Sequence, residues 1–85
     1  MYQMSQLIMY TKNDCSQCKG AKMFLDSKGL DYESRNIDEN PDYADEVRAL
    51  GLRAMPVIVA EGTSVLPFTG FQPQKLTQIA KELLA

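Results

Sequence analysis

The 85-residue chain contains no histidine, and its only cysteines are Cys15 and Cys18. A closed structural zinc site needs about four protein ligands, most often cysteine and histidine, so one copy of this chain supplies half of such a site. In a chain with alternating strand and helix patterns, two cysteines at this spacing favour a redox dithiol. The missing ligands therefore point to dithiol chemistry. An inert pair of core thiols and a metal site shared between two chains remain the alternatives.

Long apolar runs and an excess of basic residues are also absent. The apolar runs at 7–10 and 56–60 have the length of a strand and fall far short of a membrane span. The formal net charge is -2 and no basic stripe is present, which argues against nucleic acid as the main ligand. The first six residues lack the features of a secretory signal. We expect a soluble, cytoplasmic protein with no nucleic-acid or membrane partner.

The pattern along the chain predicts one domain over residues 1–85, in which residues 1–6 form a short N-terminal extension. Strands are predicted at 7–11, 31–38, 57–60 and 65–66, and helices at 17–28, 41–50 and 73–84. The first strand–helix–strand unit implies parallel strands, whereas the tight turn before the last strand implies an antiparallel pair. We therefore predict an α/β fold of order βαβαββα. Its mixed four-stranded sheet with helices on both faces is the minimal thioredoxin-like architecture.

Each predicted helix carries apolar residues at helical spacing, which we expect to pack on the sheet. These residues are Cys18, Ala21, Phe24 and Leu25 in the first helix, Tyr43, Ala44, Val47 and Leu50 in the second, and Leu76, Ile79, Ala80, Leu83 and Leu84 in the third. Gly29 and Gly51 end the first two helices. Pro67 cannot donate to a strand ladder, which suggests that the last strand lies at the edge of the sheet.

The cysteine pair falls where the first helix begins. Cys15 would lie beside the unpaired N–H groups and the positive end of the helix dipole, a position that favours its thiolate. Cys18 lies one turn inside, on the apolar stripe, so we expect it to be the more buried sulfur. Cys15 is therefore assigned as the nucleophile that attacks a substrate disulfide, and Cys18 as the thiol that resolves the mixed disulfide. No bound cofactor is needed, because the Cys15–Cys18 disulfide is itself the redox centre.

Charged residues flank this pair. Lys12, Lys19 and Lys22 can stabilise a thiolate or steer an acidic partner, whereas Asp14 next to Cys15 opposes ionisation. Exposed charges usually form solvated faces, so the sequence does not set the sign of the net effect.

Three segments of the chain resemble the NrdH-type redoxins, glutaredoxin-sized proteins of the thioredoxin superfamily. They are TKNDCSQCK at 11–19, LRAMPV at 52–57 and FTGFQP at 68–73, and the resemblance extends from Leu7 to Leu84. Family members commonly carry tryptophan at the position of Phe68, arginine at that of Gln72, and an acidic residue or serine at that of Gln74. We expect the last two departures to weaken a hydrogen-bond network that braces this loop.

The resemblance implies roles for two further segments. Local statistics predict a trans bond before Pro56, because only about one X-Pro bond in twenty is cis. The resemblance instead implies that Met55–Pro56 is the superfamily's cis-proline, packed opposite the dithiol, with the Met55 backbone pairing with an extended substrate segment. Gly70 and Phe71 stand where glutathione-using glutaredoxins hold glutathione with small residues. The Phe71 ring would fill that groove.

The predicted substrate- and partner-binding residues are Lys12, Ser16, Gln17, Met55, Pro56, Phe68, Gly70 and Phe71, with Lys12, Phe68 and Phe71 on the partner-facing surface. The resemblance further implies a monomeric reductase of protein disulfides. Its client would be the large subunit of a class Ib ribonucleotide reductase, and NADPH would supply electrons through thioredoxin reductase. The alternatives are a glutathione-dependent glutaredoxin and, from another class, a C-x-x-C module that binds a metal or iron–sulfur cluster or senses redox state.

Overall fold

The computed structural model describes residues 6–84, so residues 1–5 of the predicted extension lie outside the described part. The elements are β1 (Leu7–Thr11), α1 (Ser16–Ser27), β2 (Glu33–Asn36), α2 (Pro41–Ala49), β3 (Val57–Ala60), β4 (Phe68–Thr69) and α3 (Pro73–Leu84). Their order is the predicted βαβαββα. No helix within residues 6–84 combines the length and the apolar character needed to cross a membrane.

The four strands form one sheet in the order β2-β1-β3-β4. β1 is parallel to β2 and antiparallel to β3, and β3 is antiparallel to β4. The parallel pair is joined through α1, as a strand–helix–strand unit requires, because parallel neighbours need a long connection. The mixed sheet of the thioredoxin-like fold is therefore confirmed, with β4 at an edge.

Successive residues of β1 and β3 point to opposite faces of the sheet, and this alternation produces two cores. The first core, on the side of α1 and α3, consists of Leu7, Met9, Ala21, Leu25, Leu30, Ile58, Ala60, Phe68, Leu76, Ile79 and Ala80. The second core, on the side of α2, consists of Tyr10, Cys15, Cys18, Val47, Met55 and Val57. Both faces of the sheet are covered by helices, as predicted.

Local chemistry explains the bounds of the first two helices. Asn40 caps α2, since its side-chain oxygen accepts a hydrogen bond from the Asp42 N–H at 3.0 Å. Pro41 occupies the first helical turn, where its missing N–H costs nothing. After α1 the chain turns at Gly29, whose φ of 69° lies in the left-handed region that glycine adopts without strain.

The structure corrects the predicted position of the last strand. β4 is Phe68–Thr69 rather than 65–66, and Leu66 is 79% exposed. Phe68 is buried in the first core, so packing of this ring, and not the apolar pair before Pro67, determines where the chain joins β3. β2 is also shorter than predicted, at Glu33–Asn36.

Two residues assigned to the inner faces of helices are exposed. Leu50 follows the last residue of α2 and is 41% exposed, and Leu84 at the end of α3 is 58% exposed. Both lie where a helix ends, beyond the part that packs against the sheet. Phe24 and Leu83 are partly buried against the first core.

Candidate active site

The two cysteines lie at the start of α1 and form a disulfide, with their Cα atoms 5.2 Å apart. Cys15 is the N-cap of α1, and its Sγ accepts a hydrogen bond from the Cys18 N–H at 3.2 Å. The sulfur therefore takes the position that a serine or aspartate oxygen usually takes at a helix N-terminus. It faces the free N–H groups and the positive end of the helix dipole.

Both cysteines are buried in the second core. Cys15 is 8% exposed and Cys18 is 4% exposed, so Cys18 is the more buried of the two by a small margin. Their neighbours in this core include Val47 and Met55. The apolar surroundings hold the disulfide against the loop that precedes β3.

The loop before β3 contains a cis peptide bond between Met55 and Pro56, as the family resemblance implied and against the local expectation. Pro56 is fully buried, and its carbonyl accepts a hydrogen bond from the Gly70 N–H at 2.8 Å. Within residues 6–84 the backbone N–H and carbonyl of Met55 form no hydrogen bond. The Met55 residue as a whole is 7% exposed.

The Gly70–Phe71 segment is attached to α1. The Phe71 N–H donates to Gln17 Oε1 at 3.0 Å, and the Phe71 ring meets the Phe24 ring edge-on with centroids 6.1 Å apart. The ring also lies over Gly20, where an added Cβ would come within 3.3 Å of Phe71 Cδ2. Phe71 remains 36% exposed. The ring therefore covers one side of α1 rather than entering a core.

Sequence reasoning missed Gly20 and Phe24 as supports of this ring. Gln17, Gly20 and Phe24 follow the spacing i, i+3, i+7, which places them on one face of a helix. That spacing was the available signal. What the spacing could not show is that Phe71, far along the chain, covers this face.

Phe68 does not belong to the partner-facing surface. It is 5% exposed and packs in the first core, so this prediction is wrong for its side chain. Lys75 Nζ lies 5.0 Å from the centroid of its ring. In the same loop Gln72 Nε2 donates to the Thr69 carbonyl at 2.7 Å, so the glutamine itself braces the loop.

An open pocket of about 260 Å³ lies beside the dithiol, and Lys12, Lys19 and Lys22 are among its lining residues. Within the described residues neither Lys12 nor Lys19 has an ion-pair partner. Lys22 donates to the Tyr32 hydroxyl at 3.1 Å and pairs with Asp26, and these contacts raise its pKa. The predicted lysines are thus brought together on one side of the cysteines.

A second pocket, of about 400 Å³, lies next to the loop before β3. It is lined by Ile37, Ala44, Val47, Arg48, Leu52, Arg53 and Met55. Its walls are mostly apolar; Arg53 supplies positive charge, and Arg48 is paired with Asp45.

Ser16 is exposed in the first turn of α1, between Cys15 and Gln17. In the part of the chain that the structure describes, no cluster of three or more aspartate, glutamate, histidine or cysteine side chains is placed to share a metal ion.

The amino-acid sequence is similar to that of known proteins over most of its length. The glutaredoxin family model matches residues 7–65. The glutaredoxin-like protein NrdH of Escherichia coli K12 is 35% identical over 74 residues, which cover 87% of this chain and 88% of that protein. The protein of the same name from Lactococcus lactis subsp. lactis is 38% identical over 72 residues, covering 85% and 96% of the two chains.

A solved structure agrees with these sequence matches. The NrdH-redoxin of Escherichia coli superposes with a TM-score of 0.76 at 37% identity, over 84% of this chain and 90% of that one. That relative is described as having a thioredoxin-like activity profile.

Proposed function

Because the chain belongs to the glutaredoxin family and, within it, to the NrdH-type redoxins, we propose that it reduces client-protein disulfides with electrons from thioredoxin reductase. Family membership and the Cys15–Cys18 pair make the chain a thiol–disulfide oxidoreductase. The client and the source of electrons are the proposal. We further propose that the protein acts as a monomeric single domain in the cytoplasm, where cellular reductants keep thiols reduced.

The reaction is a two-step exchange. In the reduced protein the Cys15 thiolate attacks one sulfur of the client disulfide, forms a Cys15–client disulfide and releases the other client sulfur as a thiolate. The Cys18 thiolate then attacks Cys15 Sγ, which restores the Cys15–Cys18 disulfide and releases the second client thiolate. Two electrons pass to the client, and its two thiolates take up the protons that the dithiol gave up. NADPH returns two electrons to the Cys15–Cys18 disulfide through thioredoxin reductase.

The position of Cys15 carries this proposal. Its sulfur caps α1 and accepts the Cys18 N–H, so the helix end stabilises the charge that forms when Cys15 is a thiolate. Lys12 and Lys19, which have no ion-pair partner within residues 6–84, add positive charge beside it. The helix-end contact is made by Cys15 alone and favours it over Cys18 as the attacking sulfur, whereas Lys12, Lys19 and Asp14 line a pocket that both sulfurs share.

The loop before β3 supplies a place for the client. An extended client segment can pair with the unpartnered backbone of Met55 by strand addition. A large apolar side chain of that segment fits the pocket next to Met55, and Arg53 favours acidic residues nearby, whereas Arg48 is paired with Asp45. The C-x-Q-C and G-F-x-P segments support a class Ib ribonucleotide reductase as the client, by resemblance to the family.

Phe71 supports thioredoxin reductase as the source of electrons. Its ring lies over Gly20 of α1. By resemblance to the family, Phe71 stands on the segment where glutathione-using glutaredoxins hold glutathione. The thioredoxin-like activity profile of the Escherichia coli relative points the same way.

A coupled assay tests the proposal. Purified protein, NADPH, thioredoxin reductase and an oxidised class Ib ribonucleotide reductase are combined, and NADPH consumption is followed with client thiol formation. We expect one dithiol formed per NADPH, and no turnover with Cys15→Ser. Cys18→Ser is expected to accumulate a Cys15–client disulfide, visible by mass spectrometry of the non-reduced complex. Full multi-turnover reduction by Cys18→Ser would show that the two roles are assigned wrongly.

A further inference from the structure

Gln17 joins the dithiol motif to a segment 54 residues later in the chain. Its Oε1 accepts the Phe71 N–H at 3.0 Å. The same oxygen lies 3.2 Å from the position that a Cβ would occupy on Gly70, whose φ is 85°. A larger residue at Gly70 would therefore be both strained and crowded against the Gln17 side chain.

Two other contacts hold this segment. The Gly70 N–H donates to the Pro56 carbonyl at 2.8 Å, and the Phe71 ring packs over Gly20 and against Phe24. Gln17 differs from these supports because it lies between the two cysteines. Its Oε1 is also the atom that accepts the hydrogen bond of the Phe71 N–H.

An exposed backbone N–H next to a dithiol is a binding point for a carboxylate, since charge-assisted hydrogen bonds to backbone N–H groups are strong. Glutathione carries two carboxylates. To use the Phe71 N–H, one of them must displace the Gln17 carboxamide, and the released Phe71 segment would then lose one of its attachments to α1.

We propose that Gln17 is a positioning residue for reductant specificity: its carboxamide occupies the Phe71 N–H and holds the Phe71 ring over Gly20, which closes this side of the dithiol to glutathione. This inference rests on the proposed function, since it assigns a cause to the preference for thioredoxin reductase. It assigns to Gln17, a residue inside the C-x-x-C motif, a part in the exclusion of glutathione that is attributed to Phe71.

The test compares two substitutions at one position. Gln17→Met keeps the length of the side chain and removes the acceptor, whereas Gln17→Glu keeps an acceptor oxygen. Gln78→Met is the matched control, because Gln78 is exposed on α3 and its side chain contacts Glu82. For each variant, hydrogen exchange of the Phe71 amide is measured by NMR. The rate of reduction of the Cys15–Cys18 disulfide is also measured, once with glutathione and once with thioredoxin reductase and NADPH. The first rate is then divided by the second.

We expect Gln17→Met to exchange the Phe71 amide about fivefold faster and to raise the glutathione-to-thioredoxin-reductase rate ratio by about fivefold, as loss of one hydrogen bond implies. Gln17→Glu should restore the slow exchange, and Gln78→Met should leave both readouts at the wild-type values. Unchanged Phe71 exchange in Gln17→Met, or faster exchange with an unchanged ratio, would overturn the inference. A wild-type protein that glutathione reduces rapidly would instead overturn the proposed reductant, whatever the variants show.

Discussion

The two faces of the sheet differ in what they bury. The first core contains 11 buried residues and the second contains 6, and both sulfurs lie in the second. The first core is apolar throughout and joins α1 and α3 to the sheet. The second core is smaller, and a pocket opens beside its Met55. Most of the stability therefore comes from one face, while the chemistry is placed on the face with less packing.

Polar contacts supplement the small second core. The Tyr10 hydroxyl donates to Glu46 Oε1 at 2.7 Å, and Arg35 Nη1 donates to the same oxygen at 2.7 Å. These bonds connect β1, β2 and α2. Such a network specifies how α2 sits on the sheet where apolar contacts are few.

The comparison predicts that activity and stability can be lost separately. The largest expected effect is that of Cys15→Ser, which removes the nucleophile and should lower disulfide reduction by at least about a thousandfold. Serine is itself a good N-cap, so the free energy of unfolding under reducing conditions should stay within about 1 kcal/mol of reduced wild type. Turnover assays and urea denaturation measure the two quantities. Residual activity within tenfold of wild type would contradict the assignment of Cys15.

In the first core we expect the opposite result, in which stability is lost while activity is retained. Ile79→Ala removes a fully buried side chain of α3 and should lower the free energy of unfolding by about 2–5 kcal/mol. The specific activity of the folded fraction should remain close to wild type, since Ile79 lies in the first core and both sulfurs lie in the second. Ile79→Val, with an expected loss of about 0.5–1.5 kcal/mol, serves if the alanine variant does not fold.

Leu84→Ala is the matched control for this change. Leu84 lies on the same helix but is 58% exposed, so its loss should change stability by less than about 0.5 kcal/mol. If Leu84→Ala lowered the free energy of unfolding as much as Ile79→Ala, the assignment of Ile79 to the first core and of Leu84 to the surface would be wrong.

Gly20 gives a smaller effect at the border of the site. Gly20→Ala should stabilise α1 by up to about 1 kcal/mol, because alanine is the better helix former. The new Cβ would lie 3.3 Å from the Phe71 ring, which is half-exposed and can shift to make room. Gly29→Ala should destabilise instead, since φ at Gly29 is 69° and lies in a region that costs alanine about 1–2 kcal/mol. Thermal unfolding of both variants checks these opposite signs.

The smallest expected effect concerns pH and the second core. Burial, reinforced by the hydrogen bond to Glu46, raises the pKa of Tyr10 above 10.0. At a pH between 10.0, the pKa of Tyr10 in the unfolded chain, and its higher pKa in the folded protein, the unfolded chain binds fewer protons than the folded one. The free energy of unfolding that burial of the neutral tyrosine contributes is therefore fully present below pH 10 and is lost as the pH rises through the folded pKa. Tyr10→Phe should therefore make the decline of unfolding free energy above pH 10 less steep. An unchanged slope in alkaline urea titrations would contradict this.

Much of the fold follows from local patterns. The continuous apolar run at 7–10 identifies β1, because a strand buried on both faces is apolar throughout, and the helical stripe around Leu76 identifies α3, because burial of one helix face imposes that spacing. β4 was misplaced because two residues leave no pattern, and the buried position of Phe68 is set by tertiary packing.

The site divides in the same way. The C-x-x-C spacing identifies Cys15 and Cys18, and the helix start places Cys15 at the cap. The link from Gln17 to Phe71 could not be read from the chain, because it depends on how β4 and α3 bring a distant loop onto α1. Family resemblance, rather than local statistics, indicated the cis bond at Met55–Pro56.

The central claim is that this dithiol is reset by thioredoxin reductase and not by glutathione. The most direct measurement compares the initial rates at which the same oxidised protein is reduced by thioredoxin reductase with NADPH and by glutathione with glutathione reductase. The account predicts rapid reduction by the first system and reduction at least about tenfold slower by the second. Equal rates, or faster reduction by glutathione, would contradict it and identify the protein as a glutathione-dependent glutaredoxin.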